Sequence, residues 1–188
     1  MDPKCEIMKL NLGARVDIRS GYINIDYDLS LNEIDVFADV RELPFKNEGV
    51  GEIIAQDIIE HISHRHMEKL IQEWYRVLKF GGQLIIITPD FEKIIQLYQE
   101  RPQGWHREVG HELYKDPSEG WGDIVIRSLF GGQGANDKPV TEIDQGNFHF
   151  YCFDKKSIAS LLEKFGFRIR QFDYNNLDLS NMKVIAVK

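Results

Sequence analysis

The 188-residue sequence has only two cysteines, Cys5 and Cys152. Two thiols this far apart make neither a disulfide framework nor a zinc cluster, and they read as reduced thiols of a cytoplasmic protein. Long apolar runs are also missing. The most apolar stretch, Leu84 to Thr88, falls far short of the roughly 20 residues that a membrane-spanning helix needs. The opening Met1-Asp2-Pro3-Lys4-Cys5 has no apolar run after its charges, so a signal peptide is not expected. Positive charge is in deficit: 23 Lys+Arg stand against 30 Asp+Glu, a net charge of -7. A dedicated nucleic-acid binder rests its affinity on neutralising phosphates, so this balance argues against one. Repeats and low-complexity tracts are absent as well. What is present is ordinary: 43% hydrophobic and 28% charged residues. A single soluble acidic domain of this length buries roughly 70% of its unfolded surface and needs no staple.

Short apolar runs alternate with turns through the first half. Strands are expected at Lys9–Gly13, Tyr22–Asp26, Ile34–Asp39, Val50–Gln56 and Gln83–Thr88. The unbroken Leu84-Ile85-Ile86-Ile87 suits a central parallel strand buried on both faces. Helical spacing of Met67, Leu70, Ile71, Trp74, Val77 and Leu78 predicts a helix capped by Ser63 and ended by Gly81-Gly82. Asp90 can cap a second helix, carrying Phe91, Ile94, Ile95 and Tyr98. Asp154 can cap a third, carrying Ile158, Leu161, Leu162 and Phe165 and closed by Gly166. Two last strands, Arg168–Phe172 and Lys183–Val187, read as an antiparallel pair joined through Asn175-Asn176-Leu177-Asp178. From about 101 to 147 the periodicity weakens, while glycines, Trp105, Trp121, His106 and His111 accumulate. A long stretch of this kind inside one domain, here taken as residues 1–188, reads as a lid or binding insertion.

A strand, a glycine turn and a second strand ending on an acid form the logic of a nucleoside-binding α/β site. Glycine admits a ligand close to the backbone, and the acid accepts hydrogen bonds from ribose hydroxyls. Gly13 supplies the turn and Asp26 the acid. Asp39 ends the third strand, where an adenine amino group can donate to it. All three sit at carboxyl ends of strands, where such sheets bind ligands.

These residues belong to a longer pattern: Leu10-Asn11-Leu12-Gly13, Gly21-Tyr22-Ile23-Asn24-Ile25-Asp26 and Asp39-Val40-Arg41-Glu42-Leu43-Pro44-Phe45. It continues through Ile58-Ile59-Glu60-His61-Ile62, Arg76-Val77-Leu78-Lys79-Phe80-Gly81-Gly82 and Pro89-Asp90. The pattern resembles small bacterial class I S-adenosylmethionine-dependent methyltransferases over residues 9 to 92, and again from His149 to Phe167. The resemblance implies an α/β fold with a Rossmann-like methyltransferase sheet, mostly parallel, with an antiparallel C-terminal hairpin strand. It implies S-adenosylmethionine as cofactor, with Leu12, Gly13, Ala14 and Arg15 near its methionine part and Asp26 on the ribose. Asp39 and Val40 would meet the adenine edge, and Asp57 and Ile58 would line the wall near the sulfonium.

Two departures stand out. The family's second glycine is replaced by Arg15. Only eight residues separate Gly13 from Tyr22, fewer than the roughly 10–12 of a normal parallel crossover. Early helices are therefore expected to be reduced, leaving a sheet face for the 101–147 segment or a second subunit to cover. A homodimer is one way to do this.

The acceptor is less legible. The Asn/Asp-Pro-Pro-aromatic run of base methylases is replaced by Gln56-Asp57-Ile58-Ile59, which agrees with the acidic charge in disfavouring nucleic acid. No metal is expected, because His61-Ile62-Ser63-His64-Arg65-His66 does not place a ligand pair on one helical face. His149 is the candidate catalytic base, and Arg127, Gln133 and Tyr151 are candidate acceptor contacts. The expected activity is O-methylation of a small polar molecule, a sugar or secondary metabolite. The alternatives are a binding module that keeps the fold without the cofactor, and an enzyme using the fold for another reaction. Arg15 and the short crossover favour the first of these alternatives.

Overall fold

The structure is a computed structural model that describes residues 7–15, 17–100, 125, 128–131, 148–174 and 180–188. Arg127, Gln133, His106, His111 and the Asn175–Asp178 link lie outside the described residues, as does nearly all of the 101–147 insertion.

Seven strands form one sheet among the described residues: β1 (Lys9–Leu12), β2 (Ile23–Asp26), β3 (Val36–Phe37), β4 (Val50–Gln56), β5 (Leu78–Pro89), β6 (Arg168–Tyr174) and β7 (Asn181–Val187). Their spatial order is β3-β2-β1-β4-β5-β7-β6. The first five run parallel, β7 pairs antiparallel with β5, and β6 pairs antiparallel with β7. The described helices are α1 (His64–Val77), α2 (Phe91–Glu100) and α3 (Lys155–Lys164), with a 3₁₀ turn at Ile59–His61. The expected mostly parallel sheet with an antiparallel C-terminal hairpin is what forms.

Strand alternation sets the core. The register places Ile53 beside Leu84 and Leu84 beside Ala186, so these side chains share one face. Leu10, Leu12, Ile25, Ala55, Ile86 and Val184 join them in one cluster, completed by Met67, Leu70, Ile71, Trp74 and Val77 of α1 and by Ile158 and Leu162 of α3. Each large side chain buried there contributes roughly 1.5–3 kcal/mol. Trp74 is fully buried, and its indole N–H is satisfied by the Val40 carbonyl at 3.0 Å. On the opposite face Ile54, Ile85 and Ile185 lie side by side. Ile54 is buried, whereas Ile85 and Ile185 are only half-buried. Ile94 and Leu97 of α2 are buried outside the main cluster.

No helix joins β1 to β2 or β2 to β3 among the described residues, as the short crossover predicts. Polar side chains hold the links instead. Asn11, nearly fully buried, donates through Nδ2 to the Asp17 carbonyl at 2.6 Å and to Asn24 Oδ1 at 3.0 Å. Asn24 Oδ1 also accepts from the Arg19 backbone N–H at 2.9 Å, and Asp35 Oδ2 accepts from the Asn24 backbone N–H at 2.8 Å.

Three local expectations are corrected. Ser63 precedes α1 but makes no side-chain cap; its carbonyl accepts from His66 N–H instead. The helix ends at Val77 rather than at Gly81-Gly82, because Leu78 is fully buried and already paired with Val50. The glycines lie inside β5, where Gly81 takes φ +74° and a Cβ on Gly82 would come 2.8 Å from the Lys79 carbonyl oxygen. The third strand shrinks to Val36–Phe37, although the Asp35 and Ala38 N–H groups on its flanks still reach the Asn24 and Asp26 carbonyls at 2.9 Å. The other two caps form as expected. Asp90 Oδ1 accepts from Glu92 N–H at 3.0 Å, and Asp154 with Ser157 makes a reciprocal capping box.

Candidate functional site

The carboxyl ends of β1, β2, β4 and β5 converge on one region. Gly13 leaves β1 at φ +65°, a left-handed conformation that glycine adopts without strain. A Cβ there would fall 1.8 Å from Ile58 Cδ1, so the Ile58 side chain lies directly against the glycine. Ala14 is buried, and its N–H reaches the Ile25 carbonyl at 2.9 Å. Arg15 follows at φ 40°, also left-handed, and its backbone N–H donates to Asp26 Oδ2 at 3.0 Å. The other oxygen of Asp26 accepts from Asp28 N–H at 3.0 Å. Each carboxylate oxygen keeps a lone pair for a further donor. The expected glycine turn and acid are thus brought together and fastened to each other.

The other expected cofactor contacts differ in their freedom. Arg41 holds Asp39 by its backbone N–H at 2.8 Å and by its guanidinium. That guanidinium keeps the Asp39 carboxyl below the usual carboxylate range. Val40 follows on the same loop. Asp57 closes β4 in a left-handed conformation, φ 51°, and its Oδ1 accepts from Asn181 Nδ2 at 3.1 Å.

Next to this region lies a cluster that the sequence pattern does not single out. Glu60, in the 3₁₀ turn after β4, is almost wholly buried. Its Oε2 accepts from the Thr88 hydroxyl at 3.0 Å, while its Oε1 has no hydrogen-bond partner. Burial, reinforced by the nearby Asp57 charge, pushes its carboxyl up to about 8. The segment from Phe148 is tied over this turn: Phe150 and Tyr151 N–H groups reach the Glu60 carbonyl at 2.7 and 3.3 Å. His61 Nδ1 lies 3.0 Å from the Phe148 carbonyl, and His149 Nδ1 lies 3.2 Å from the Ser128 carbonyl. The two imidazoles meet edge to face with centroids 4.8 Å apart. Burial lowers the His61 pKa, with the Arg15 charge acting in the same direction. Burial, then the neighbouring His61, lowers His149 to about 4. One ligand atom each from Glu60, His61 and His149 lie within 4.8 Å of one another. His64 and His66, the rest of the local histidine run, are exposed on α1. The sequence clue to Glu60 is a charged residue inside Ile58-Ile59-Glu60-His61-Ile62; nothing in the sequence marks its pairing with His149.

Tyr151 is partly exposed beside this cluster, with its ring 4.5 Å from that of Phe153. Cys152 is partly buried, which pushes its thiol up to about 12 and leaves it unreactive. No described helix is long and apolar enough to cross a membrane.

Residues 15–86 match the methyltransferase domain family. No curated protein matches the sequence. A Methanosarcina mazei S-adenosylmethionine-dependent methyltransferase is similar in structure with a TM-score of 0.60 and 17% identity, over 96% of this chain and 92% of that one. A Thermotoga maritima protein described as a possible histamine N-methyltransferase gives a TM-score of 0.56 at 15% identity, over 96% and 81%. A Haloferax volcanii putative methyltransferase, solved with the Trm112 activator, gives a TM-score of 0.58 at 9% identity, over 97% and 82%. The sheet order, the matched segment and these likenesses define a class I S-adenosylmethionine-dependent methyltransferase fold.

Proposed function

We propose that the chain is an active methyltransferase that uses S-adenosylmethionine to methylate an oxygen on a small polar acceptor, a sugar or secondary metabolite. The observation that carries this reading is the fastening of the Gly13 turn to Asp26, which fixes an acid with spare lone pairs at the carboxyl end of β2. The donor set fits the cofactor: a glycine turn, a fixed carboxylate and the wall formed by Asp57 and Ile58. When bound, the cofactor supplies a sulfonium methyl open to in-line displacement.

The chain's residues then have distinct tasks. Leu12, Gly13, Ala14 and Arg15 flank the methionine part, and Asp26 accepts from the ribose. Asp39 and Val40 meet the adenine edge, Asp39 through the lone pairs that Arg41 leaves. His149 takes the acceptor's proton. Its Nδ1–H is spent on the Ser128 carbonyl, which leaves the Nε2 lone pair to receive that proton, while burial lowers its pKa to about 4 and makes it a weak base. Tyr151, Arg127 and Gln133 are assigned to the acceptor. The half-buried Ile85 and Ile185 support a cover over that sheet face, either the 101–147 segment or a second copy in a homodimer. The acidic charge supports a partner other than nucleic acid, and the low cysteine count supports the cytoplasm.

Calorimetric titration with S-adenosylmethionine and its demethylated product tests the reading. Both are expected to bind, with Asp26→Ala losing at least about tenfold in affinity. Retained affinity in that variant would show that the ribose lies elsewhere. The second reading, a module that has lost the cofactor, is favoured by Ile58 filling the space over Gly13 and by Arg15 in the place of a glycine. Absence of binding by both ligands would establish it.

A further inference from the structure

We propose that Glu60, His61 and His149 form a binding site for one divalent transition-metal ion, of the kind built from two histidines and one carboxylate. Three observations converge on it. First, the donors are close: one ligand atom of each residue lies within 4.8 Å of the others. An ion bound at about 2.0–2.2 Å from nitrogen and oxygen donors needs them about 3–4 Å apart, so closure takes a shift of about one to two ångströms.

Second, Glu60 is arranged as a ligand. A carboxylate oxygen buried without a partner is costly and uncommon in folded proteins. Thr88 occupies Oε2 and fixes the carboxylate plane, leaving Oε1 as the orphan. Among the described residues no lysine or arginine forms an ion pair with Glu60. A bound cation supplies the partner that Oε1 lacks and favours the ionised carboxylate over the protonated form that burial alone stabilises.

Third, both imidazoles are held as metal-bound histidines are held. Each turns Nδ1 to a backbone carbonyl, of Phe148 for His61 and of Ser128 for His149. Donation to a carbonyl fixes the Nδ1–H tautomer and leaves the Nε2 lone pair for an ion. The Phe150 and Tyr151 hydrogen bonds to the Glu60 carbonyl hold the two chain segments in place. Two nitrogens and one oxygen favour zinc, iron, cobalt or manganese over magnesium or calcium, which prefer all-oxygen shells.

Three protein ligands leave coordination positions open. Resting here on the methyltransferase reading, the ion would hold the acceptor's hydroxyl at an open position and lower its pKa, the proton passing to solvent, and His149 would serve as a ligand and not as the base. Ion binding itself does not depend on that reading.

The test uses the untagged chain, stripped with chelator and titrated with Co²⁺ and Zn²⁺. Calorimetry is expected to give one ion per chain, and Co²⁺ to develop visible absorption bands of an ordered site. His61→Ala, His149→Gln and Glu60→Gln are each expected to weaken binding by at least about tenfold, with circular dichroism confirming that each variant is folded. The double substitution His64→Ala/His66→Ala, on the exposed histidines of α1, is expected to leave it unchanged. Absence of stoichiometric binding, binding unaffected by both His149→Gln and His61→Ala in folded protein, or loss on the α1 double substitution would overturn the proposal. S-adenosylmethionine is titrated in parallel. Metal binding without cofactor binding would uphold the ion site and sink the methyltransferase reading; cofactor binding without metal binding would do the reverse.

Discussion

The imidazoles of His61 and His149 meet edge to face, with centroids 4.8 Å apart and planes at 77°. This contact joins the carboxyl end of β4 to the segment after residue 147. Two cationic rings at this separation would repel, and burial lowers the pKa of both. His149 shows this most strongly, with a pKa lowered to about 4 by burial and then by His61. A histidine whose folded pKa lies below its unfolded value favours the neutral ring in the folded state. Its contribution to stability is present above the ordinary histidine pKa and is lost as pH falls from about 6.5 to about 4. In chelator-treated protein, NMR is expected to show no titration of His149 between pH 6 and 8. Thermal melts are expected to fall in that acidic window, and less so for His149→Gln. A histidine step near 6.5 assigned to His149 would contradict the burial seen here.

Asn11 and Asn24 explain how a crossover of eight residues works. In a normal parallel unit a helix packs on the sheet between two such strands. Here the inward positions Asn11 and Asn24 bind each other, the Asp17 carbonyl and the Arg19 N–H. Asn24→Ala removes the acceptor of two donors, the buried Asn11 amide and the part-buried Arg19 N–H. A destabilisation of about 1–3 kcal/mol is expected from the desolvated groups left behind, measured by urea denaturation. Asn11→Leu is expected to be as costly, because the Asp17 carbonyl also loses its donor. If either variant is as stable as the wild type, the network is not what closes the link.

These asparagines show where sequence reading succeeded and where it stopped. Strand positions, the parallel order and the antiparallel end were legible because alternation and turn residues are local signals. The places of Gly13 and Asp26 at strand ends were legible because a glycine turn and an acid each punctuate an apolar run. The helix end was misplaced: Gly81-Gly82 punctuates the chain, but burial of Leu78 and its pairing with Val50 end α1 earlier. The Glu60–His61–His149 cluster was illegible because it is a contact between segments far apart in the chain, and only folding brings them within reach. His149 was read as a candidate base from its place before the late helix, and its contact with His61 has no mark in the sequence.

Arg76, from the most recognisable run of the sequence, acts as a clamp rather than as a site residue. Its guanidinium reaches the Leu43 carbonyl at 3.1 Å, the Phe45 carbonyl at 2.9 Å and Asn47 Oδ1 at 2.7 Å. It also forms a two-pronged pair with Glu73, both contacts at 2.7 Å. Glu73 in turn accepts from Leu43 N–H at 2.7 Å, so the loop after β3 is tied to α1 from both sides. Arg76→Ala is expected to cost about 2–3 kcal/mol, since several acceptors lose a charged donor at once. Arg76→Lys is expected to recover only part, because an ammonium cannot make the planar fork. Chemical denaturation measures both, and cofactor affinity is expected to change far less than stability.

Gly13 carries two constraints that can be separated. Its φ of +65° is strained for any other residue, at roughly 1–2 kcal/mol. Its lack of a Cβ also admits Ile58, whose Cδ1 would lie 1.8 Å from an added methyl. Gly13→Ala is therefore expected to lower stability by more than backbone strain alone and to reduce S-adenosylmethionine binding. Ile58→Ala opens the space, so the double variant Gly13→Ala/Ile58→Ala is expected to be more stable than the sum of the two single changes predicts. Thermal denaturation of the four proteins in the cycle measures that coupling, and calorimetry follows the cofactor. Should the effects prove additive, the contact between Ile58 and the glycine turn would carry no energy, and backbone conformation alone would account for Gly13. If instead the coupling is large and Ile58→Ala by itself tightens the cofactor, Ile58 is a side chain that must move aside for the ligand. That result would remove the main observation in favour of a module that has lost its cofactor.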